Sequence, residues 1–266
     1  MTPRALLAGL CTGAALLGGA AWAAQPQQPQ QPQQPPLTVA WRDKPPYHYM
    51  ENSLPSGFLL ERARTVFDSA GLSVRFVNEP QKRIWANFQH GADNYCSISW
   101  YRLPEREAVA QYSQPFHEDL PHTILIAAGM VERVKTHTSL VSLLADPELT
   151  LGVIEGVSYG PVLDPMIRAG KNKIMSRTVE TTQMIRMLGV GRASYMFVDR
   201  EDWDYFRQQH KPGQSIVRHD LADMPPGVRR YIVCSRDVPQ ETMNKINQAI
   251  AATGGMRNPG YSKPGK

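Results

Sequence analysis

The sequence predicts an α/β protein of two lobes joined by two crossing strands. Three observations predict it. Short β-branched or aromatic runs alternate with amphipathic helical stretches; the alternation occurs twice in units of similar size; and the second unit is inserted before a last strand and helix. The first lobe is expected over 37–121 and 229–266, the second over 122–228. The chain has 266 residues and is 42% hydrophobic, which excludes disorder throughout, and its 3 cysteines exclude a disulfide-dense miniprotein. It carries 29 Lys and Arg against 24 Asp and Glu, with no basic run interleaved with aromatics. A nucleic-acid groove therefore has no compositional support.

Residues 1–23 read as a cleaved secretory leader, with one charge at Arg4, an apolar run to Ala21, and Ala21-Trp22-Ala23 as a small-x-small cleavage site. Residues 24–36 are a Gln/Pro repeat with nothing apolar to bury, which reads as an extended linker. The first lobe then runs strand 37–41, helix 58–70 ending at Gly71, strand 72–77, helix 81–90 ending at Gly91, and strand 95–100. The second runs strand 122–128, a helix near 139–144, strand 149–155, helix 161–169 closed by Gly170, helix 181–188, strand 193–198 and helix 201–209. Strand 230–234 and helix 239–252 close the pattern, the helix placing Met243, Ile246 and Ile250 on one side.

The chemistry is expected beyond the carboxyl ends of strands, between the lobes. Gly156-Val157-Ser158-Tyr159-Gly160 fits the nucleophile elbow of a serine hydrolase, with Asp199 and His210 or His219 in the required chain order, but no HGGG-type oxyanion loop precedes it. The same residues also read as a tight turn at Gly156 and a helix start at Ser158, which can cap the helix or hold an anion. Ser97 to Arg106 places hydroxyls, aromatics and arginines at a strand exit, suited to a small carboxylate. Asp199, ending strand 193–198, can take an ammonium or cap the next helix. Cys96 and Cys234 lie on two strand-like runs of an exported chain and read as one disulfide or two buried thiols. No metal site and no cofactor are expected: His117, His122 and His137 share no helical spacing with cysteines or acids.

Several segments, in order, resemble the bacterial periplasmic solute-binding proteins that serve amino-acid ABC importers. Pro45-Pro46-Tyr47 with Gly57-Phe58 resembles the opening "PPY/PF…GF". Gly91-Ala92-Asp93, Pro104-Glu105-Arg106 and Tyr112-Ser113-Gln114-Pro115 resemble "G-x-D … T-x-E-R … F-S-x-P". In the second lobe, Gly152 to Ser158 resembles "GV-x-x-G-T-T/S", and Gly191 to Asp199 resembles "G-R-x-D-A-x-x-x-D". Tyr101 stands where the family has a small hydroxyl donor, and Ser194 where it has an acid.

The resemblance implies the type II periplasmic binding fold and a site in which Arg106 and Ser99 hold a ligand carboxylate, Ser158 adds a donor and Asp199 takes the ammonium. Tyr47, Trp41 and Tyr101 are the expected aromatic walls. It further implies that the last crossing strand lies beside strand 95–100, bringing Cys96 and Cys234 within bridging reach. The expected protein is periplasmic, non-catalytic and monomeric, closing on an amino acid or related carboxylate, with an ABC permease or a sensor as partner and no nucleic acid. The competing readings are a secreted hydrolase using Ser158 and a dehydratase on the same fold with Glu155 or Asp199 as acid.

Overall fold

Twelve strands and nine α-helices, among the described residues, follow one another in a computed structural model that describes residues 35–210 and 214–254. The expected leader and nearly all of the Gln/Pro linker lie outside the described residues. The first half of the chain contains β1 (Leu37–Trp41), β2 (Tyr49–Glu51), β3 (Leu54–Ser56), α1 (Phe58–Ser69), β4 (Val74–Asn78), α2 (Gln81–Gln89), β5 (Tyr95–Tyr101), α3 (Pro104–Glu107) and β6 (Gln111–Glu118). The second contains β7 (Thr123–Ala127), α4 (Val131–Lys135), α5 (Leu140–Leu144), β8 (Thr150–Ile154), α6 (Leu163–Ala169), β9 (Lys173–Arg177), α7 (Thr181–Gly189), β10 (Tyr195–Val198), α8 (Arg200–His210) and β11 (Ile216–His219). The last elements among the described residues are β12 (Arg229–Cys234) and α9 (Gln240–Ala252).

Two five-stranded sheets organise these elements, in the orders β4-β1-β5-β12-β6 and β11-β7-β10-β8-β9. In the first, β1 is parallel to β4 and β5, while β12 is antiparallel to β5 and β6. In the second, β8 is parallel to β9 and β10, while β7 is antiparallel to β10 and β11. The strands that enter a sheet from the other lobe, β7 and β12, are thus the ones that run against the parallel set. Where the two crossing segments pass, the Asp119 N–H donates to the Val228 carbonyl at 3.0 Å. A Cβ at Gly227 would sit 1.5 Å from the Asp119 carbonyl oxygen, so only glycine permits this approach.

Strand alternation divides the cores. On β10, Tyr195 and Phe197 face one side with Ile124, Ile126 and Leu151, whereas Met196 and Val198 face the other with Leu125, Ile185 and Trp203. Every residue of β5 is buried, because helices cover both faces of its sheet: α1 and α9 on one, α2 on the other. Met243, Ile246 and Ile250 of α9 enter the first core, as their spacing predicts.

Strands β6, β9 and β11 and the β2–β3 hairpin escaped the sequence reading. The three strands are sheet edges, where one flank meets solvent and the apolar pattern thins. Strand β9 buries only Met175, and β6 carries Pro115, which an edge tolerates. Helix α6 begins at Leu163, two residues past the expected start, because Asp164 holds the preceding loop.

Cys96 and Cys234 are paired residues of β5 and β12 and form a disulfide spanning 138 residues of sequence. Closing so long a loop removes much of the unfolded chain's freedom, an effect of about 2–5 kcal/mol in chains of this kind. Alkylation of unreduced, unfolded mature protein is expected to leave both cysteines unlabelled. The Cys96→Ser/Cys234→Ser double variant should lose about that much stability in urea titration.

Candidate functional site

The carboxyl ends of β1, β4 and β5 in one lobe and of β8, β9 and β10 in the other converge on a cavity of about 480 Å3. Both residues central to the sequence reading, Arg106 and Asp199, line it, as do Ser99, Tyr101 and Ser158.

Arg106 follows the end of β5 on the short helix α3. Its guanidinium lies 4.6 Å from the Trp85 ring centroid and 5.3 Å from that of Trp100, and one N–H donates to the Tyr101 carbonyl at 3.3 Å. Among the described residues no carboxylate pairs with it. Arg42, just past β1, is similar: it lies 5.4 Å from the same Trp100 ring, donates to Gln81 Oε1 at 2.6 Å and has no carboxylate partner among the described residues. Burial, then the like charge of Arg230, lowers the Arg42 pKa to about 10.

Asp199 is in the opposite condition. Its carboxylate receives Lys44 Nζ at 3.0 Å and Arg230 at 3.1 Å, and His122 Nε2 lies 3.1 Å away. Lys44 reaches Asp202 as well, at 2.9 Å. Burial alone would raise the Asp199 pKa, but Lys44, His122 and Arg230 outweigh it and hold the carboxyl well below the usual range.

Arg230, with a side chain only 3% exposed, also pairs with Asp119 at 2.7 Å. It bonds the Ser99 carbonyl and hydroxyl, both at 3.3 Å, and lies 4.5 and 4.7 Å from the Tyr47 and Tyr101 ring centroids. Ser99 sits at φ +71°, in the left-handed region that non-glycine residues seldom occupy, and these two bonds hold it there. Tyr101 commits its hydroxyl to Asp119 at 2.7 Å. The unusual tyrosine of the first lobe therefore steadies the charge cluster with its polar end.

The lobes touch through these groups. Lys44 and Arg230 belong to the first and Asp199 and Asp202 to the second. Tyr47 donates to Glu201 at 3.2 Å, and Gln81 Nε2 donates to the Gly156 carbonyl at 2.7 Å.

Two expected walls lie elsewhere. Trp41 and Tyr47 are packed in the first core, 1% and 0% exposed, because their positions at the end of β1 and before α1 face inward. Trp100 is the indole that lines the cavity instead. Ser158 donates to Asp164 Oδ2 at 2.6 Å and accepts from the Gly160 N–H at 3.0 Å, which is a turn-capping arrangement. No histidine among the described residues meets it: His122 faces Asp199, and His210 bonds Arg186. Among the described residues no cluster of His, Cys, Asp and Glu could hold a metal ion.

Lys44, Arg42 and Arg230 were not singled out from sequence. Lys44 stands in Arg42-Asp43-Lys44 and Arg230 in Arg229-Arg230, both of which look like solvated charge. The only local hint at Arg230 is its place at the head of the apolar run Tyr231 to Cys234.

A cleft between two α/β lobes, lined at the strand ends by charged and aromatic side chains, defines a binding protein for small polar molecules. The chain belongs to the bacterial extracellular solute-binding proteins, family 3, whose model matches residues 37–254. A search of curated proteins found no match. The structure is similar to the arginine-, lysine-, histidine-binding protein ArtJ of Geobacillus stearothermophilus, with 15% identity, 82% of this chain and 89% of that chain covered, and a TM-score of 0.62. It is similar to an ancestral arginine-binding protein bound to arginine, at 19% identity, 81% and 91% coverage and 0.61. A histidine kinase sensor domain with similarity to periplasmic binding proteins matches at 16% identity, 82% and 89% coverage and 0.63. At these identities the likeness establishes the two-lobed fold.

Two acids of the cluster titrate upward. Burial raises Asp202 to about 6 despite Lys44, and burial with the nearby Asp199 charge raises Glu201 to about 7. An acid whose folded pKa exceeds its unfolded value binds more protons in the folded state, so its contribution is lost as pH rises through the folded pKa. Thermal unfolding is therefore expected at a higher temperature at pH 5 than at pH 8. Asp202→Asn should reduce that difference in scanning fluorimetry, with Glu201 keeping the remainder.

Proposed function

We propose that the protein is an exported, non-catalytic binding protein that closes its two lobes on a small carboxylate-bearing solute, an amino acid or a related acid. Arg106 carries this reading. It is a guanidinium at the cleft wall, braced by two indoles and unpaired with any carboxylate among the described residues, ready for paired charge-assisted bonds to an anion. The loop before α6, whose turn Ser158 holds through Asp164 and Gly160, supports the ligand from the second lobe, and Ser99 and Tyr101 do so from the first by holding Arg230. Lobe closure couples to binding because a ligand gripping both walls favours the closed form by its differential contacts.

The family's extracellular placement agrees with the leader read at 1–23. The protein acts as a monomer that hands its solute to an ABC permease or reports it to a sensor, the second role suggested by the similar histidine kinase sensor domain. The Ser158 hydroxyl, engaged with Asp164 and without a hydrogen bond to histidine among the described residues, supports binding over hydrolysis.

Mass spectrometry of small molecules released from the purified protein identifies the solute, and calorimetry measures it. Arg106→Lys keeps the charge and loses the planar fork, so affinity should fall at least tenfold. Unchanged affinity would reject Arg106 as the anchor.

A further inference from the structure

Resting on the carboxylate-binding reading above, we propose that this cleft takes a small organic acid with two carboxylates and no free amine, because Lys44 supplies from the protein itself the ammonium that Asp199 and Asp202 require.

Each aspartate of the inner wall already meets a cation of the protein. Lys44 and Arg230 face Asp199, Asp202 and Asp119 at 2.7–3.1 Å, all with side chains less than a tenth exposed. A ligand ammonium aimed at Asp199 would have to displace Lys44 or Arg230 and leave it buried without a counter-charge, which is strongly unfavourable. In the same cavity two guanidiniums remain without a carboxylate partner among the described residues. Arg42 and Arg106 lie 5.4 and 5.3 Å from the Trp100 centroid, and their contacts are a glutamine oxygen and a backbone carbonyl, both neutral acceptors.

Among the described residues the remaining acids of the lining form no ion pair with them. Glu79 accepts from Asn87 and Tyr95, and Glu155 from Thr178. Asp43, Glu155, Glu180 and Lys82 are exposed, so water and salt screen their charge; Glu180 and Asp202 act on Arg42 through space without forming an ion pair with it. The walls between the cationic positions, Trp100, Ile154 and Val157 among them, offer apolar surface to a short carbon chain.

The test uses matched pairs that differ only by an α-ammonium: succinate and aspartate, glutarate and glutamate, adipate and 2-aminoadipate. Each is titrated calorimetrically into mature protein freed of bound solute. At least one diacid should bind tenfold or more tightly than its amino partner. Arg42→Gln should weaken that diacid at least tenfold, and Lys44→Met should narrow the gap by opening Asp199 to the amine. An amino acid binding as tightly as its diacid in every pair would overturn this inference and leave the carboxylate-binding reading standing. Silence across all six acids and across single-carboxylate probes such as butyrate would overturn both.

Discussion

A lysine and an arginine held out of water against three aspartates govern the geometry of this molecule. Lys44 and Arg230 come from the first lobe; Asp199 and Asp202 come from the second, and Asp119 from the segment that crosses between them. Buried pairs of this kind add little net stability, because desolvation offsets much of the attraction. Removing one partner is another matter, since it strands a charge at a cost of about 3–5 kcal/mol. The cluster therefore acts as a specification: the lobes can meet in this arrangement only when the two cations reach the three carboxylates they share.

The apolar scaffold makes that specification possible. Strand β5 is buried along its whole length and β12 is bridged to it covalently, so the strand that carries Arg230 has little freedom to shift. The two rings beside the Arg230 guanidinium and the bonds it donates to Ser99 fix its direction. In the second lobe, β10 buries four consecutive residues before releasing Asp199 at its carboxyl end. Rigid strands thus deliver the charges, and the cleft inherits their positions. The second pair of cations, Arg42 and Arg106, rests on the Trp100 ring system at the same strand ends but without protein acids. This asymmetry, aspartates engaged by the protein's own cations and two guanidiniums without a carboxylate partner among the described residues, gives the cavity its chemical character.

Much of this was legible beforehand. The alternation of strands and helices, the double repeat and the late return of the chain were readable because central strands and amphipathic helices carry strong periodic patterns. The edge strands β6, β9 and β11 were not, because half of each faces water and the pattern dilutes. Arg106, Asp199 and Ser158 stand in recognisable segments at element ends, and all three line the cavity. Trp41 and Tyr47 illustrate the converse failure. An aromatic at a strand end or in a loop reads equally well as a ligand wall or as core, and both are core here.

The sequence by itself determined the fold class, the order of its elements, the two cysteines available for a bridge and the region where the chemistry gathers. These follow from local periodicity and from residue types at element ends. Only the tertiary structure decided that Lys44 lies against Asp199 and Asp202, some 155 residues further along the chain, and that Arg230 threads between Asp119 and Asp199. Charge pairing across such separations leaves no local signature: a lysine in a polar turn looks solvated until folding closes another lobe over it. The state of Asp199, engaged by the protein's own cations, is a property of the closed contact alone.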